Sequence, residues 1–331
     1  MSEAARLIVR APNWLGDAVM AIPAMAAVRR AFEGRSIVLA AASPVAPLFE
    51  EITPAAPDEV LTIDRARETD QLKEARADAI LLLPNSFGSA WVARRSGIAQ
   101  RWGYRSSGRS VLLTRAVPRR RQRVHQVQYY LELVRGLGFE AADELPRIDP
   151  RPATLAKADA LLASAGVAPG STIVGFAPGA AYGHAKRWPP ARVAQVIAGL
   201  ARQGVISLMV GAGADRGTGR AVESSLPPGA SVVNLIGRTT LRQLVGVVAR
   251  CRAFVSNDSG AMHVAAALRV PLTAIFGPTD ERVTRPSGDA DLMVRDVFCR
   301  PCMLRECPID HRCMKRIDVD AVLRSVTARL G

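Results

Sequence analysis

The chain has 331 residues, 49% of them hydrophobic, and a formal net charge of +14. That length supports two hydrophobic cores rather than one. No apolar run reaches the length of a membrane span. The first ten residues carry Glu3 and lack the apolar stretch of a secretory signal, so a soluble cytoplasmic protein is expected.

Residues 7–9 form the first predicted strand. Residues 17–32 have helical apolar spacing, interrupted early by Pro23. Strands follow at 37–41 and 79–83, the second leading into the turn Pro84-Asn85-Ser86. The alternation dissolves over 106–123, where Arg, Ser and Pro dominate, and a helix is predicted over 125–137. Residues 147–152, a helix over 153–165 and Pro169-Gly170 read as a linker region. The second half resumes with strands at 172–176, 205–210, 253–255 and 272–276, alternating with helices at 191–202, 241–249 and 260–268. Short apolar strands alternating with helices predict parallel βαβ units. The chain is therefore read as two doubly wound α/β domains, residues 1–165 and 166–331. An open option is that the last helix packs back on the first domain.

Ligands of such folds sit beyond the carboxyl ends of the strands. The turns at 12–17, 178–186, 211–215, 258–260 and 277–280 all lie at that end, so their polar residues converge by topology. Ser256-Asn257-Asp258-Ser259-Gly260-Ala261-Met262-His263 joins a strand to a helix. Free N–H groups and the helix dipole make such a turn an anion site, and a phosphate-bearing ligand is the first reading. Asp258 and Ser259 either cap the helix or touch that ligand, and His263 sits in its first turn. In Pro12-Asn13-Trp14-Leu15-Gly16-Asp17, Gly16 permits a tight turn. Asp17 is placed to take a proton from an attacking hydroxyl, the alternative being a helix cap. In the Pro178–Trp188 segment, Gly179 and Ala180 let a ligand approach the backbone. Lys186 is one of only four lysines, a compact ammonium suited to a phosphate leaving group. Gly211-Ala212-Gly213-Ala214-Asp215 is an incomplete dinucleotide fingerprint, which leaves Asp215 as a ribose ligand.

From 94 to 123 there are ten arginines and no Asp or Glu. Such a stretch attracts phosphorylated or carboxylated partners; a solvated basic loop is the alternative. The triplets Asp289–Asp291 and Asp318–Asp320 follow no buried strand and read as surface or helix-start acids rather than a metal site. Cys299, Cys302, Cys307 and Cys313 cluster in a pattern compatible with structural zinc or an iron–sulfur centre, with reduced thiols as the alternative.

Four motifs in this order resemble the ADP-heptose:lipopolysaccharide heptosyltransferases, glycosyltransferase family 9. They are residues 10–20, the 178–188 segment, Asn257-Asp258-Ser259-Gly260 with His263, and Phe276-Gly277-Pro278-Thr279. The first of these and the cysteine-rich segment are most like the heptosyltransferase II branch. The resemblance covers nearly the whole chain. It implies a GT-B fold, two Rossmann-like domains across a cleft, with acceptor bound by the first and ADP-sugar by the second. It implies inverting, metal-independent transfer of heptose from ADP-heptose to the heptosyl-Kdo2-lipid A inner core of lipopolysaccharide, with no further cofactor. Asp17 would be the base and Lys186 the leaving-group cation. Asp215, Asp258, Ser259, Gly260, His263, Gly179 and Ala180 would bind donor. Asn13, Arg119, Arg120 and Arg121 would meet the anionic acceptor at the inner face of a Gram-negative inner membrane.

Rival readings remain. A first-heptose or other nucleotide-sugar transferase shares the motifs, and a sugar-nucleotide epimerase shares the two-domain fold. A nicotinamide oxidoreductase would want the full glycine fingerprint. A basic nucleic-acid-binding protein would fit the charge, but the stretch holds only Trp102 and Tyr104 for base stacking, so no nucleic acid is expected.

Overall fold

The parallel alternation is present in both halves of the chain. The computed structural model describes residues 4–120 and 122–330, which fall into two units, Met1–Asp149 and Pro150–Gly331. In the first, β1 (Arg6–Arg10), β2 (Ser36–Ala42), β3 (Glu59–Ile63), β4 (Ala79–Leu82), β5 (Gln100–Tyr104) and β6 (Arg115–Val117) form one parallel sheet, ordered β3-β2-β1-β4-β5-β6. In the second, β7 (Ile173–Ala177), β8 (Ile206–Met209), β9 (Val233–Asn234), β10 (Ala253–Asn257), β11 (Leu272–Phe276) and β12 (Ala290–Val294) are ordered β12-β11-β10-β7-β8-β9. Each sheet winds three strands to one edge, then returns beside its first strand. The reversals, between β1 and β4 and between β7 and β10, are where ligands of such sheets bind.

The central strands are legible because both their faces are buried. On β7, Val174 and Phe176 point into one core with Val193, Ile197 and Val322, while Ile173 and Ala177 join Phe254, Leu272 and Phe276 in the other. The missed strands, β3, β5, β6, β9 and β12, lack that pattern. β3 is largely solvent-facing, β5 carries Gln100, Arg101 and Gly103, and β9 has two residues.

Three expectations are revised. The single helix over 17–32 is two helices, Leu15–Met20 and Ile22–Ala31. Pro23 falls in the first turn of the second, where its missing N–H breaks no intrahelical bond. The helix Pro152–Ser164 is not a linker. It buries Ala158 and Leu162 in the second unit's core, and a Cβ on Gly246 would stand 2.7 Å from the Thr154 carbonyl oxygen, so the division falls before Pro150 rather than at 165. The last helix, Val319–Ala328, packs on the second unit's own sheet, with Val322 and Val326 buried and Ser325 bonded to Thr273 of β11. No helix among the described residues is long and apolar enough to cross a membrane.

Candidate active site

At the second switch point, β7 and β10 both end in small and polar residues. The segment after β7 is pinned by Asn257 at the end of β10. Its Nδ2 donates to the Pro178 carbonyl at 2.7 Å and its Oδ1 accepts from the Trp188 amide at 3.3 Å. This brings Lys186 Nζ within 2.6 Å of Asp258 Oδ2, with only 12% and 5% of the two side chains exposed. Thr279 Oγ1, after β11, donates to the same oxygen at 2.7 Å. Asp258 therefore does not cap the helix Gly260–Ala267. Neither does Ser259, whose Oγ lies 3.1 Å from Ser256 Oγ. The first turn of that helix is left without a side-chain cap, which suits a phosphate. His263 is buried on the same helix.

Asp215 is also at this end, but turned inward. Its Oδ2 accepts from the Ala212 amide at 3.2 Å, and Arg187 lies 3.5 Å from Oδ1. A Cβ at Gly179 would stand 2.1 Å from the Asp215 carboxyl carbon, so only glycine fits there. Asp215 thus ties the 211–215 turn to Arg187 of the 178–188 segment.

The cysteine-rich segment braces the same loops. Arg300, with 6% of its side chain exposed, donates to the Gly277 carbonyl (2.8 Å), the Thr279 carbonyl (3.0 Å) and Glu281 Oε2 (2.6 Å). The Ala185 amide donates to the Arg305 carbonyl at 2.9 Å, and His311 Nε2 lies 2.6 Å from the Ala185 carbonyl oxygen. Tyr182 donates to the Met303 carbonyl at 2.7 Å, while its ring faces Lys186 Nζ at 4.7 Å. Burial, and after it the nearby thiols of Cys299, Cys307 and Cys302, set the Cys313 thiol above its ordinary range, against a hydrogen bond from the Met314 backbone that lowers it. Among the described residues no group of three or more His, Cys, Asp or Glu side chains is placed to hold a metal ion. The acidic triplets have other work: Asp289 and Asp291 pair with Arg329, and Asp318 caps the last helix.

At the first switch point, Asp17 lies inside the first turn of Leu15–Met20, not at its cap position, which Trp14 holds. Arg10, buried, fixes the turn by donating to the Ala11 carbonyl (2.7 Å) and Asn13 Oδ1 (2.9 Å) while paired with Glu68 at 2.7 Å. From the helix Gln126–Gly136, Tyr129 and Tyr130 approach Asp17. Burial raises both phenols, and the Asp17 charge raises them further. Asn85, after β4, donates to the Tyr129 hydroxyl at 2.5 Å, and Arg119 lies 5.5 Å from that ring. Arg120 pairs with Glu132 at 3.4 Å; Arg121 lies outside the described residues. The basic stretch is less open than its composition implies. Arg109 is fully buried, donating to the carbonyls of Tyr104 and Pro84, and burial lowers its guanidinium to about 10. Arg101 and Arg115 are likewise spent on backbone carbonyls.

Comparison with known proteins decides the family. The model of "Glycosyltransferase family 9 (heptosyltransferase)" matches residues 65–312. The chain belongs to glycosyltransferase family 9. It is 31% identical over 316 residues to lipooligosaccharide heptosyltransferase 2 of Haemophilus influenzae, covering 87% of this chain and 88% of the relative. It is 32% identical over 310 residues to lipopolysaccharide heptosyltransferase 2 of Salmonella typhimurium, covering 88% of each. Among solved structures it is similar to ADP-heptose lipopolysaccharide heptosyltransferase II of Escherichia coli, with TM-score 0.84, 27% identity and 98% of each chain covered. The enzyme is thus a glycosyltransferase whose two sheets are the Rossmann-like domains of the GT-B fold. Within this family 9 enzyme, Thr279, Arg300, Arg187, Asn85 and Tyr129 join the two switch points without having been assigned roles from sequence. Thr279 and Arg187 lay in motifs that could have signalled them.

Proposed function

We propose that this enzyme transfers L-glycero-D-manno-heptose from ADP-heptose to the heptosyl-Kdo2-lipid A inner core, with inversion, as a cytoplasmic protein peripheral to the inner membrane. The observation that carries the reading is the buried Lys186–Asp258–Thr279 cluster, set beside an uncapped helix start at a switch point of a family 9 chain. A pre-positioned, partly buried ammonium is suited to the charge that grows on a departing diphosphate. Gly179, Ala180, Ser259 and Gly260 let the phosphates approach backbone N–H groups. Asp258 holds Lys186, Asp215 holds the turns under the ribose, and His263 supports the helix from within.

In the first domain, Asp17 takes the proton from the acceptor hydroxyl as its oxygen bonds to the anomeric carbon. The bond from that carbon to the diphosphate oxygen breaks on the opposite face, and ADP leaves with the electron pair. Asn13 and the arginines Arg119, Arg120 and Arg121 receive the anionic acceptor. No metal is assigned a role in the transfer.

The test is ADP release from ADP-heptose in EDTA, with and without heptosyl-Kdo2-lipid A. Release that requires this acceptor supports the assignment. Release only with heptose-free Kdo2-lipid A would move the enzyme to the first heptose, and loss of release in EDTA would restore a metal.

A further inference from the structure

Helix Phe87–Arg95 of the first domain has an outer face that the site above does not use. Its inner residues Ala90 and Ala93 are buried with Leu112, from the turn Arg109–Leu112 packed beside it. On the outer face Phe87 stacks on Trp91, ring centroids 6.3 Å apart and 17° from parallel, with both residues 47% exposed. Val111, on the neighbouring turn, is 86% exposed. Large apolar side chains grouped in this way on a well-packed element mark an interaction surface.

The surrounding charge identifies the partner. Arg94 and Arg95 end the helix and are exposed, and residues 79–131 contain no Asp or Glu. The neighbouring helix Glu68–Glu74 brings three carboxylates, of which Glu68 is paired with Arg10 and Glu74 with Arg67, while Asp70 is exposed, one acid beside the two exposed arginines. Aromatic rings with arginines beside them, on a helix lying along a surface, are the composition that settles at the headgroup layer of an anionic bilayer.

We propose that Phe87, Trp91 and Val111 enter the headgroup layer of an anionic membrane, with Arg94 and Arg95 at the level of the lipid phosphates. The inference rests on the lipid-borne acceptor proposed above and gives that membrane association a specific surface.

The test uses the full chain and sedimentation with vesicles of phosphatidylethanolamine and phosphatidylglycerol, against phosphatidylcholine vesicles. The wild type is expected to bind the anionic vesicles. F87S/W91S should weaken binding at least tenfold, and R94Q/R95Q about fivefold per charge removed. In a Trp14→Phe background the emission should shift to the blue on binding, because Trp102 and Trp188 are already buried and Trp91 reports the change. Equal binding by wild type and both variants, or no binding by the wild type, would overturn the proposal. So would conversion of a dimer to a monomer by F87S/W91S without vesicle binding, which would give the face to a second copy. ADP release with a delipidated, water-soluble acceptor separates the two readings. F87S/W91S should match the wild type there, and failure of both to release ADP would refute the transfer while leaving the vesicle result standing.

Discussion

The pairing of Lys186 with Asp258 gives the sharpest test of how the second switch point is built. Asp258→Asn keeps the shape of the side chain and removes its charge, leaving an ammonium only 12% exposed without its counterion. Removing one partner of a buried pair costs about 3–5 kcal/mol. Thr279 still has an oxygen to bond, and the ammonium retains a face toward the Tyr182 ring, so the lower end, about 3 kcal/mol, is expected. For a domain of this size that is a fall of roughly 6–12 °C in Tm. Lys186→Met should cost a similar amount, because it strands the carboxylate. The double variant should be far milder, within about 1–2 kcal/mol of the wild type, because replacing both charges removes the desolvation penalty along with the attraction. Calorimetry of all four proteins closes the cycle. ADP should raise the Tm of Asp258→Asn and leave that of Lys186→Met nearly unmoved, since the diphosphate can take the place of the lost carboxylate. Additive single effects, or equal ADP protection of both, would refute the reasoning.

Asp17→Asn should leave ADP binding within about twofold and lower kcat by about 10²–10⁴-fold; near-normal turnover in a stopped ADP-release assay would remove Asp17 from the mechanism. Charge reversal at Arg119, Arg120 and Arg121 should raise the acceptor KM far more than the ADP-heptose KM, and equal effects would count against acceptor docking. Arg300→Met should lower kcat through misplaced Thr279 and Asp258, and Arg300→Lys should restore only part of it, because one ammonium cannot span the Gly277, Thr279 and Glu281 oxygens; full rescue by lysine would show that charge alone suffices. Cys251 is pushed up to about 12 by burial, from 9.0. A thiol whose folded value is raised stabilises the fold below its unfolded value and loses that contribution as pH climbs from about 9 to about 12. Wild type should therefore lose stability over that window more steeply than Cys251→Ala, and parallel denaturation curves would contradict the assignment.

What was legible in the sequence follows the depth of burial. β1, β2, β4, β7, β10 and β11 are apolar on both faces, so their runs stand out against any background. β12 does not, because Asp291 interrupts it to accept from Ser325 and Arg329, a tie to the last helix that local composition does not reveal. The site divides in the same way. Asp17, Lys186 and Asp258 could be placed at strand ends from the chain order alone. That Lys186 meets Asp258 depends on Asn257 pulling in the Pro178–Trp188 segment, a contact distant in sequence. The basic stretch was legible only in part, for a related reason. Arginine counts do not distinguish a guanidinium facing solvent from one such as Arg109, which binds carbonyls inside the fold.

The two sheets share one winding order, yet their switch points are dressed for opposite tasks. The first presents a carboxylate, Asp17, whose charge bears on the buried phenols of Tyr129 and Tyr130. The second presents an ammonium already held by a carboxylate. Lys186 sits on a segment rich in glycine and alanine, which has little stiffness of its own. Its position is set instead by Asp258, whose place depends on Thr279, and Thr279 is tied to Arg300 of the cysteine-rich segment. That dependence gives the cysteine-rich segment a physical purpose independent of any metal. It is the brace that lets a small-residue loop hold a charge in a fixed place, which the proposed approach to a phosphate requires. A buried ammonium cannot wait alone for its ligand. Asp258 supplies the counterion here, and in the reaction proposed above the donor diphosphate would take over the part.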